Sequence, residues 1–565
     1  MALRESAQVV GAASPDLSFP TAASSSTASP SSPSGEDVEW DLDFHGLWEG
    51  GWEELLREDA DQIGEAYQAS ILGGILGAEE EKEIADEIEM NEGFKESTGH
   101  REVRKDKHKM SAKGLISNFV LTIVGTTTLG LSSQMPKLGW ILPPLSVVMG
   151  CLIVSENTRL VTATMEKLQR EQGISILAYP DFAKGAFGIW GKRISSVTSM
   201  LALVGMMCTG YALETHNFNF LFPITWSWFG CNLCGHKWWA VILLPVTLAY
   251  VFGNPGALMK RVAFVGPFVC ILTVAFAWIG AGSSISAKEA IPEPCRSQHV
   301  VLPSFSDLFS MGMILELAVV GSYGFWNFAV IVTVPTLRNQ MKNPKKTAPA
   351  AIIAYFIALV MFLPIMFLGY AGFGNEAPEN LVDSMRDSRP MGWWALNRAW
   401  ETGRLTATGA CLALIVTVNM LMTEAIIIPC AVLAVEASFP GVFRRGPRWA
   451  RKVMRLGIAF FRLVVATQIE SFVAMSALVT ALFCICNNII FPIVAFHYCK
   501  VKKVGPVRKT IHVLVLLYGV FIMIFGSIAA IQSLSPADEK PGTRLRSDLT
   551  PQCRSAFDAL NITVR

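Results

Sequence analysis

Charge is what this sequence has least of. Asp, Glu, Lys and Arg make up 16% of its 565 residues, against roughly 25% in an ordinary soluble protein. Hydrophobic residues reach 52%. That composition excludes a conventional soluble multidomain protein. The formal net charge is only +1, so no global field recruits nucleic acid. Long apolar runs are absent from the first 113 residues, which are rich in Ser, Glu and Asp. MALRESAQVV has no apolar core, so no cleavable signal peptide is expected and the first apolar run must itself direct insertion.

Metal-binding and catalytic clusters are missing as well. CNLC (231–234) is a single CxxC, and tetrahedral zinc would need two further ligands. A disulfide from Cys231 or Cys234 to Cys295 is the alternative use of those thiols. Cys151, Cys208, Cys270, Cys411, Cys430, Cys484 and Cys486 lie inside apolar runs and read as small buried side chains. There is no His-rich block and no pair of aspartates in facing spans, which sets aside an intramembrane enzyme. No cofactor or metal is expected. His216 near Glu214 reads as an interfacial pair.

What is present is a series of apolar runs beyond Lys113. A helix needs about 20 apolar residues to cross a bilayer, and eleven candidates satisfy this: about 115–134, 141–163, 194–221, 237–256, 262–281, 308–334, 347–370, 405–436, 453–468, 470–499 and 511–534. The fourth is weak through Pro245, and the ninth through Arg455 and Arg462. Counting alternate sides, the segments sharing a side with REVRKDKHKMSAK (101–113) carry more than twice the Lys and Arg of the other segments. The positive-inside rule then places the N-terminus in the cytosol. An odd span count puts the C-terminus outside, where the sequon at Asn561 would be glycosylated. Residues 1–110 are read as a mostly disordered acidic arm, with an acidic amphipathic helix at 40–68 as the alternative. Residues 111–535 form the membrane domain, and 536–565 an external tail.

Span 1 contains IVGTTTLGLSSQMPKLGW (123–140), with hydroxyls and glycines in the middle of an apolar segment. Unpaired backbone is tolerated in a membrane only where it is buried in protein or lines a cavity. Gly125, Thr126, Thr127, Thr128 and Gly130 could let the span unwind, leaving a half-helix N-terminus that suits a carboxylate. The competing reading is a continuous helix packed closely through Gly and Thr. Span 6 repeats the pattern, with Gly321, Ser322, Tyr323 and Gly324 clustered and Glu316 nearby. Spans 1 and 6 open two successive five-span units, which insert in opposite orientations. Inverted repeats with broken first helices mark a class of secondary transporters.

Four stretches resemble the amino acid/auxin permease family, eleven-span carriers of amino acids. Asn118, Gly125, Leu129, Leu131, Gly139 and Trp140 fall in register with its opening motif, while Thr127 and Ser132 replace a glycine and a proline. QMKNPKKTAPA (340–350) is similar to the loop after span 6. GYAGFGNEAPENLV (369–382) is very close to the segment after span 7 in plant amino acid permeases, and PCAVLAVE (429–436) is a weaker match. The resemblance covers about residues 110–535, and plant-type and vesicular or vacuolar permeases are the nearest in character. It implies the leucine-transporter fold, two five-helix inverted repeats plus one extra C-terminal helix. It also implies a substrate carboxylate on the span 1 amides around Gly125–Thr128 and an ammonium on span 6 carbonyls. Sodium-coupled members place an Asn where this chain has Leu121.

The remaining candidate chemistry is acidic. Glu424 sits well inside span 8, where a lone ionised carboxylate is costly, by roughly 2.5–3.5 kcal/mol on insertion scales. It is the candidate proton carrier, with Glu316 as the other candidate acid; a structural role for a protonated, hydrogen-bonded Glu424 is the bland reading. The sequence thus predicts an all-α membrane protein, a monomeric, proton-coupled amino acid carrier of the plasma membrane or of vacuolar or other endomembranes. A nutrient sensor of the same fold, binding amino acid without moving it, is the alternative.

Overall fold

The computed structural model describes residues 110–173, 176–224, 235–253, 255–289, 300–303, 309–374, 380–382, 407–439, 448–469 and 471–534. The acidic arm, CNLC, Cys295, part of the 369–382 motif, and the tail with Asn561 lie outside these residues. Sixteen α-helices are described: α1 Ala112–Thr127, α2 Met135–Leu138, α3 Leu142–Gln172, α4 Tyr179–Leu221, α5 Gly235–Ile242, α6 Leu244–Phe252, α7 Pro255–Glu289, α8 Met311–Trp326, α9 Val334–Asn339, α10 Thr347–Phe373, α11 Ala407–Ser438, α12 Arg448–Gln468, α13 Phe472–Val479, α14 Phe491–Tyr498, α15 Pro506–Phe521 and α16 Ser527–Leu534. Eight helical stretches among the described residues are long and apolar enough to cross a membrane, or nine if the bent pair spanning Phe472–Tyr498 is one span. The chain is therefore a multi-pass membrane protein.

Helix ends follow local chemistry. The Ser111 hydroxyl accepts from Gly114 N–H and caps α1, and Ser310 does the same for α8 through Met313 N–H, supplying an acceptor for orphan donors of the first turn. Prolines stand in the first turn of α3, α4, α14 and α15, where a missing N–H costs nothing. The expected third span is longer than anticipated, because α4 begins at Tyr179 and passes a kink at Gly188. Weakness in the ninth candidate lay in Arg455 and Arg462, yet α12 forms over 21 residues, about 31 Å at 1.5 Å per residue.

Position in the bundle explains composition. α1 packs against α7, α10 and α11, and the stretch Met311–Asn339 is almost wholly buried. These two stand at the centre. α15 and the α5–α6 pair are peripheral, with Val507, Leu514 and Leu517 exposed on α15, as lipid-facing apolar residues should be. Two turns of π-helix, Thr480–Cys484 and Cys486–Ile490, bend the tenth candidate span by 42°. π-turns free carbonyls from the helical ladder. Here Asn487 C=O accepts from the Tyr179 hydroxyl at 2.5 Å, and Asn488 C=O accepts from Asn157 Nδ2 at 2.6 Å.

The sequence motifs meet at the end of α10. Gly139 has φ +80°, and a Cβ there would come within 2.6 Å of the Val300 and Val301 carbonyls, so only glycine fits. Trp140 then donates its N–H to Val301 C=O at 3.1 Å and packs edge-on against Tyr370 at 4.8 Å. Gly369 abuts Ser132, where an added Cβ would meet the serine Cβ at 2.6 Å. The Gly-Trp and Gly-Tyr pairs of two separate motifs are thus one contact.

Candidate substrate site and buried ion cluster

Both central helices are interrupted, in a different way from the expected one. α1 does not unwind at Gly125; it stays α-helical through Thr127 and tightens into 3₁₀ turns at Thr128–Gly130 and Ser132–Gln134. The hydroxyls explain this. Thr128 Oγ1 donates to Val124 C=O, and Ser133 Oγ donates to Gly130 C=O at 2.8 Å. Such back-bonding satisfies a hydroxyl within its own helix and bends the helix rather than opening it. Thr128 is therefore occupied by its own backbone. The backbones of Thr126 and Thr127 are helical, and their side chains lie outside the described atoms.

In span 6 the interruption falls later than expected. Gly321, Ser322, Tyr323 and Gly324 all lie within α8, and the helix stops only at Trp326. Residues 327–330 are irregular before a 3₁₀ turn at Ile331–Thr333 leads into α9. The clustered glycines serve packing, which is why the helix survives them. A Cβ on Gly321 would meet the Tyr518 hydroxyl at 2.9 Å, and one on Gly324 would run into Ser146, the serine carbonyl lying 2.9 Å away. Ser322 faces Gly526, whose added Cβ would lie 2.6 Å from the serine hydroxyl. Of the four expected span 6 residues, Tyr323 is brought to the 3₁₀ turn that follows α1: its hydroxyl lies against Gly130, with Phe472 alongside.

The far side of the interruption is held by a residue the sequence reading missed. Asn488 Oδ1 accepts the Ile331 N–H at 3.2 Å, while its Nδ2 donates to Cys484 C=O at 2.8 Å. One side chain of the π-helical segment thus fixes the start of the second half of span 6. Asn327 Nδ2 donates back to Tyr323 C=O at 2.8 Å. Gly125 contributes elsewhere. It packs on Thr423 of α11, whose hydroxyl donates to Leu121 C=O at 3.0 Å.

Glu424, the next residue, is not a lone carboxylate. It is ion-paired to Arg462 of α12, which also faces Glu214 of α4 at 3.6 Å. Arg462 is fully buried and Glu424 nearly so. The guanidinium donates from Nε to Met207 C=O at 3.1 Å and from Nη1 to Thr247 at 2.8 Å, and its Cζ lies 4.0 Å from the centre of the Tyr211 ring. Burying an ion requires partners of this kind. The signal was present in the sequence, since an Arg and two Glu in apolar spans call for one another. Glu214 is thereby taken from His216, which stacks on His236 at 4.4 Å. Glu316 lies half-buried in the second turn of α8.

Residues 108–532 match the family of transmembrane amino acid transporter proteins. The chain belongs to that family. The family is one of membrane transporters rather than enzymes. Amino acid transporter AVT1D of Arabidopsis thaliana is 21% identical over 405 residues, which cover 70% of this chain. The match spans 65% of that relative's length. Among solved structures, MhsT in complex with L-phenylalanine gives a TM-score of 0.48 at 13% identity, covering 74% of this chain and 97% of that one. Mhp1, a nucleobase-cation-symport-1 family transporter in a closed conformation, gives 0.46 at 13% identity, covering 76% and 92%.

Proposed function

We propose that this family member is a secondary carrier that moves amino acids across a membrane with protons as the driving ion. The observation that carries the reading is the meeting of Gly130 and Tyr323, where the two interrupted central helices touch. Interrupted helices in the middle of a transporter bundle place backbone donors and acceptors where a zwitterion can use them. The proposed substrate surface comprises the backbone of Gly125, Thr126, Thr127 and Thr128 on one side and the segment from Gly321, Ser322, Tyr323 and Gly324 into Asn327–Val330 on the other. Tyr323 supplies the hydroxyl closest to the junction.

Eleven spans arranged as two inverted five-helix repeats and an eleventh helix account for the architecture. α1 with its 3₁₀ turns and α12 complete the count, since both pack into the same bundle and α12 is long enough to cross. The N-terminus then lies in the cytosol and Asn561 outside, in a plasma membrane or an endomembrane such as that of a vacuole, with the chain acting as a monomer. Glu424 is the proposed proton carrier, ahead of Glu316, because its neighbour Thr423 bonds to α1.

Uptake of a labelled amino acid panel into proteoliposomes tests this. An inward pH gradient should concentrate at least one amino acid without sodium. Binding with neither gradient-driven uptake nor exchange would favour a sensor, and a sodium requirement would remove the proton.

A further inference from the structure

The buried ion cluster holds one negative charge too many. Two carboxylates, Glu214 and Glu424, face one guanidinium, Arg462, and all three are within 4% of fully buried at their side chains. Met207 C=O, Thr247 Oγ1 and the Tyr211 ring fix the orientation of Arg462 through Nε, Nη1 and its face, which leaves Nη2 toward the two carboxylates. Neither oxygen of Glu214 has a hydrogen-bond partner, although both are buried. An acceptor left without a donor at that depth is the place where a proton belongs.

The surrounding groups supply no second cation. From α4 the cluster meets Tyr211 and Cys208, and from α6 Tyr250. These side chains are neutral or become anionic, so none offsets a second carboxylate. His216, two residues from Glu214, is stacked on His236. From α12, Arg455 is 3.0 Å from Glu436 and committed there. From α11, Glu424 itself is the charged contributor. Among the described residues Arg462 is the one cation within ion-pair reach of either carboxylate.

We infer that Glu214, Glu424 and Arg462 form a site for a single exchangeable proton, shared between the two carboxylates and balanced by the fixed guanidinium. Binding is the addition of a proton to one carboxylate oxygen and release is its loss; no other bond changes. With the proton in place the cluster is neutral. Without it, one uncompensated charge remains among α4, α11 and α12, and the least costly response is for these helices to part and admit water. α11 carries that response towards the substrate helix, because Thr423 bonds to Leu121 C=O while Glu424 faces the cluster. This rests on the transport reading for its purpose and extends it: Glu214 holds an equal share in the coupling site, and Arg462 sets its stoichiometry at one.

The test uses the purified full chain and the variants E214Q and E424Q. Each leaves one carboxylate opposite Arg462, hence a neutral pair with nothing to titrate. The first readout is the melting temperature in detergent from mildly acidic to mildly basic pH, which needs no transport. Wild type should show a pH-dependent component that both single variants lose to the same extent. The second readout is the ratio of uptake driven by a pH gradient to counterflow in proteoliposomes. That ratio should fall roughly tenfold or more in both variants.

If E214Q keeps the wild-type melting profile and the wild-type ratio, Glu214 holds no share of the proton and the inference is overturned. If the wild type moves no amino acid by either route, the transport reading fails, while the melting profiles still decide the proton site. Should a single variant not fold, the triple variant E214Q/E424Q/R462M, which leaves no charge in the cluster, replaces it. A flattened profile then supports the site, and an unchanged one overturns it.

Discussion

The Tyr323 hydroxyl lies so close to Gly130 that a Cβ on the glycine would overlap it. This contact joins the 3₁₀ turn that follows α1 to the last turn of α8. Overpacking at such a contact typically costs about 1–3 kcal/mol. Gly130→Ala is therefore expected to lower uptake while the protein still accumulates in its membrane. Adding Tyr323→Phe removes the clashing oxygen and should restore part of the activity. Initial rates for the two variants and the double variant, normalised to protein level, check this; full activity in Gly130→Ala would separate the contact from transport.

Gly125→Leu should abolish uptake as well, through a different neighbour. The added side chain meets Thr423, whose methyl and Cβ already lie 3.2 Å from an ideal Cβ. It would push α1 off α11 and break the bond to Leu121 C=O. Surface labelling must show the variant at its membrane. Wild-type kinetics there would remove Gly125 from the substrate helix's working face.

Arg462→Met should be the most destabilising single change in the cluster. It strands two buried carboxylates, and removing one partner of a buried pair costs about 3–5 kcal/mol. Arg462→Lys should not rescue it, because a lysine ammonium cannot reproduce the fork that reaches Thr247 and Met207 together. Melting temperatures in detergent measure both. Near-native stability of the lysine variant would mean that charge alone suffices.

Asn488→Ala should loosen the span 6 interruption. It removes the acceptor of the Ile331 N–H, and a buried donor left unsatisfied costs about 1–3 kcal/mol. Faster amide exchange at Ile331 and neighbouring residues is the expected signature. Exchange unchanged from wild type would place the anchoring elsewhere.

Topology is checked independently. A tag at residue 1 should be reached only after permeabilisation, and one after residue 565 in intact cells, for a plasma-membrane form. Glycosidase treatment should shift the wild type and leave Asn561→Gln unshifted.

Much of the helical layout was legible because apolar runs are long and lipid imposes a single length scale. Less legible was how a helix handles its own polar residues. Thr128 and Gly321 look like break points in a one-dimensional reading, and in three dimensions the first bonds Val124 and the second admits Tyr518. Propensity is overridden by packing at both. Arg462 argued against a span when read alone; its partners lie on α4 and α11, hundreds of residues away from one another in part, and only the fold brings them within reach. Asn488 carried no signal, since its role depends on a π-turn that sequence periodicity does not reveal.

Met110 is bonded through its backbone to the loop after α9. Its N–H donates to Gln340 C=O at 2.6 Å, and its C=O accepts from Lys342 at 3.0 Å. Asn118 Nδ2 adds a contact to its sulfur at 3.1 Å. The bridge belongs to no larger sheet. Met110, just ahead of the first described helix, is thereby tied directly to the loop that follows span 6. A shift of that loop and a shift of the entry to α1 are therefore one movement, shared through a pair of backbone bonds.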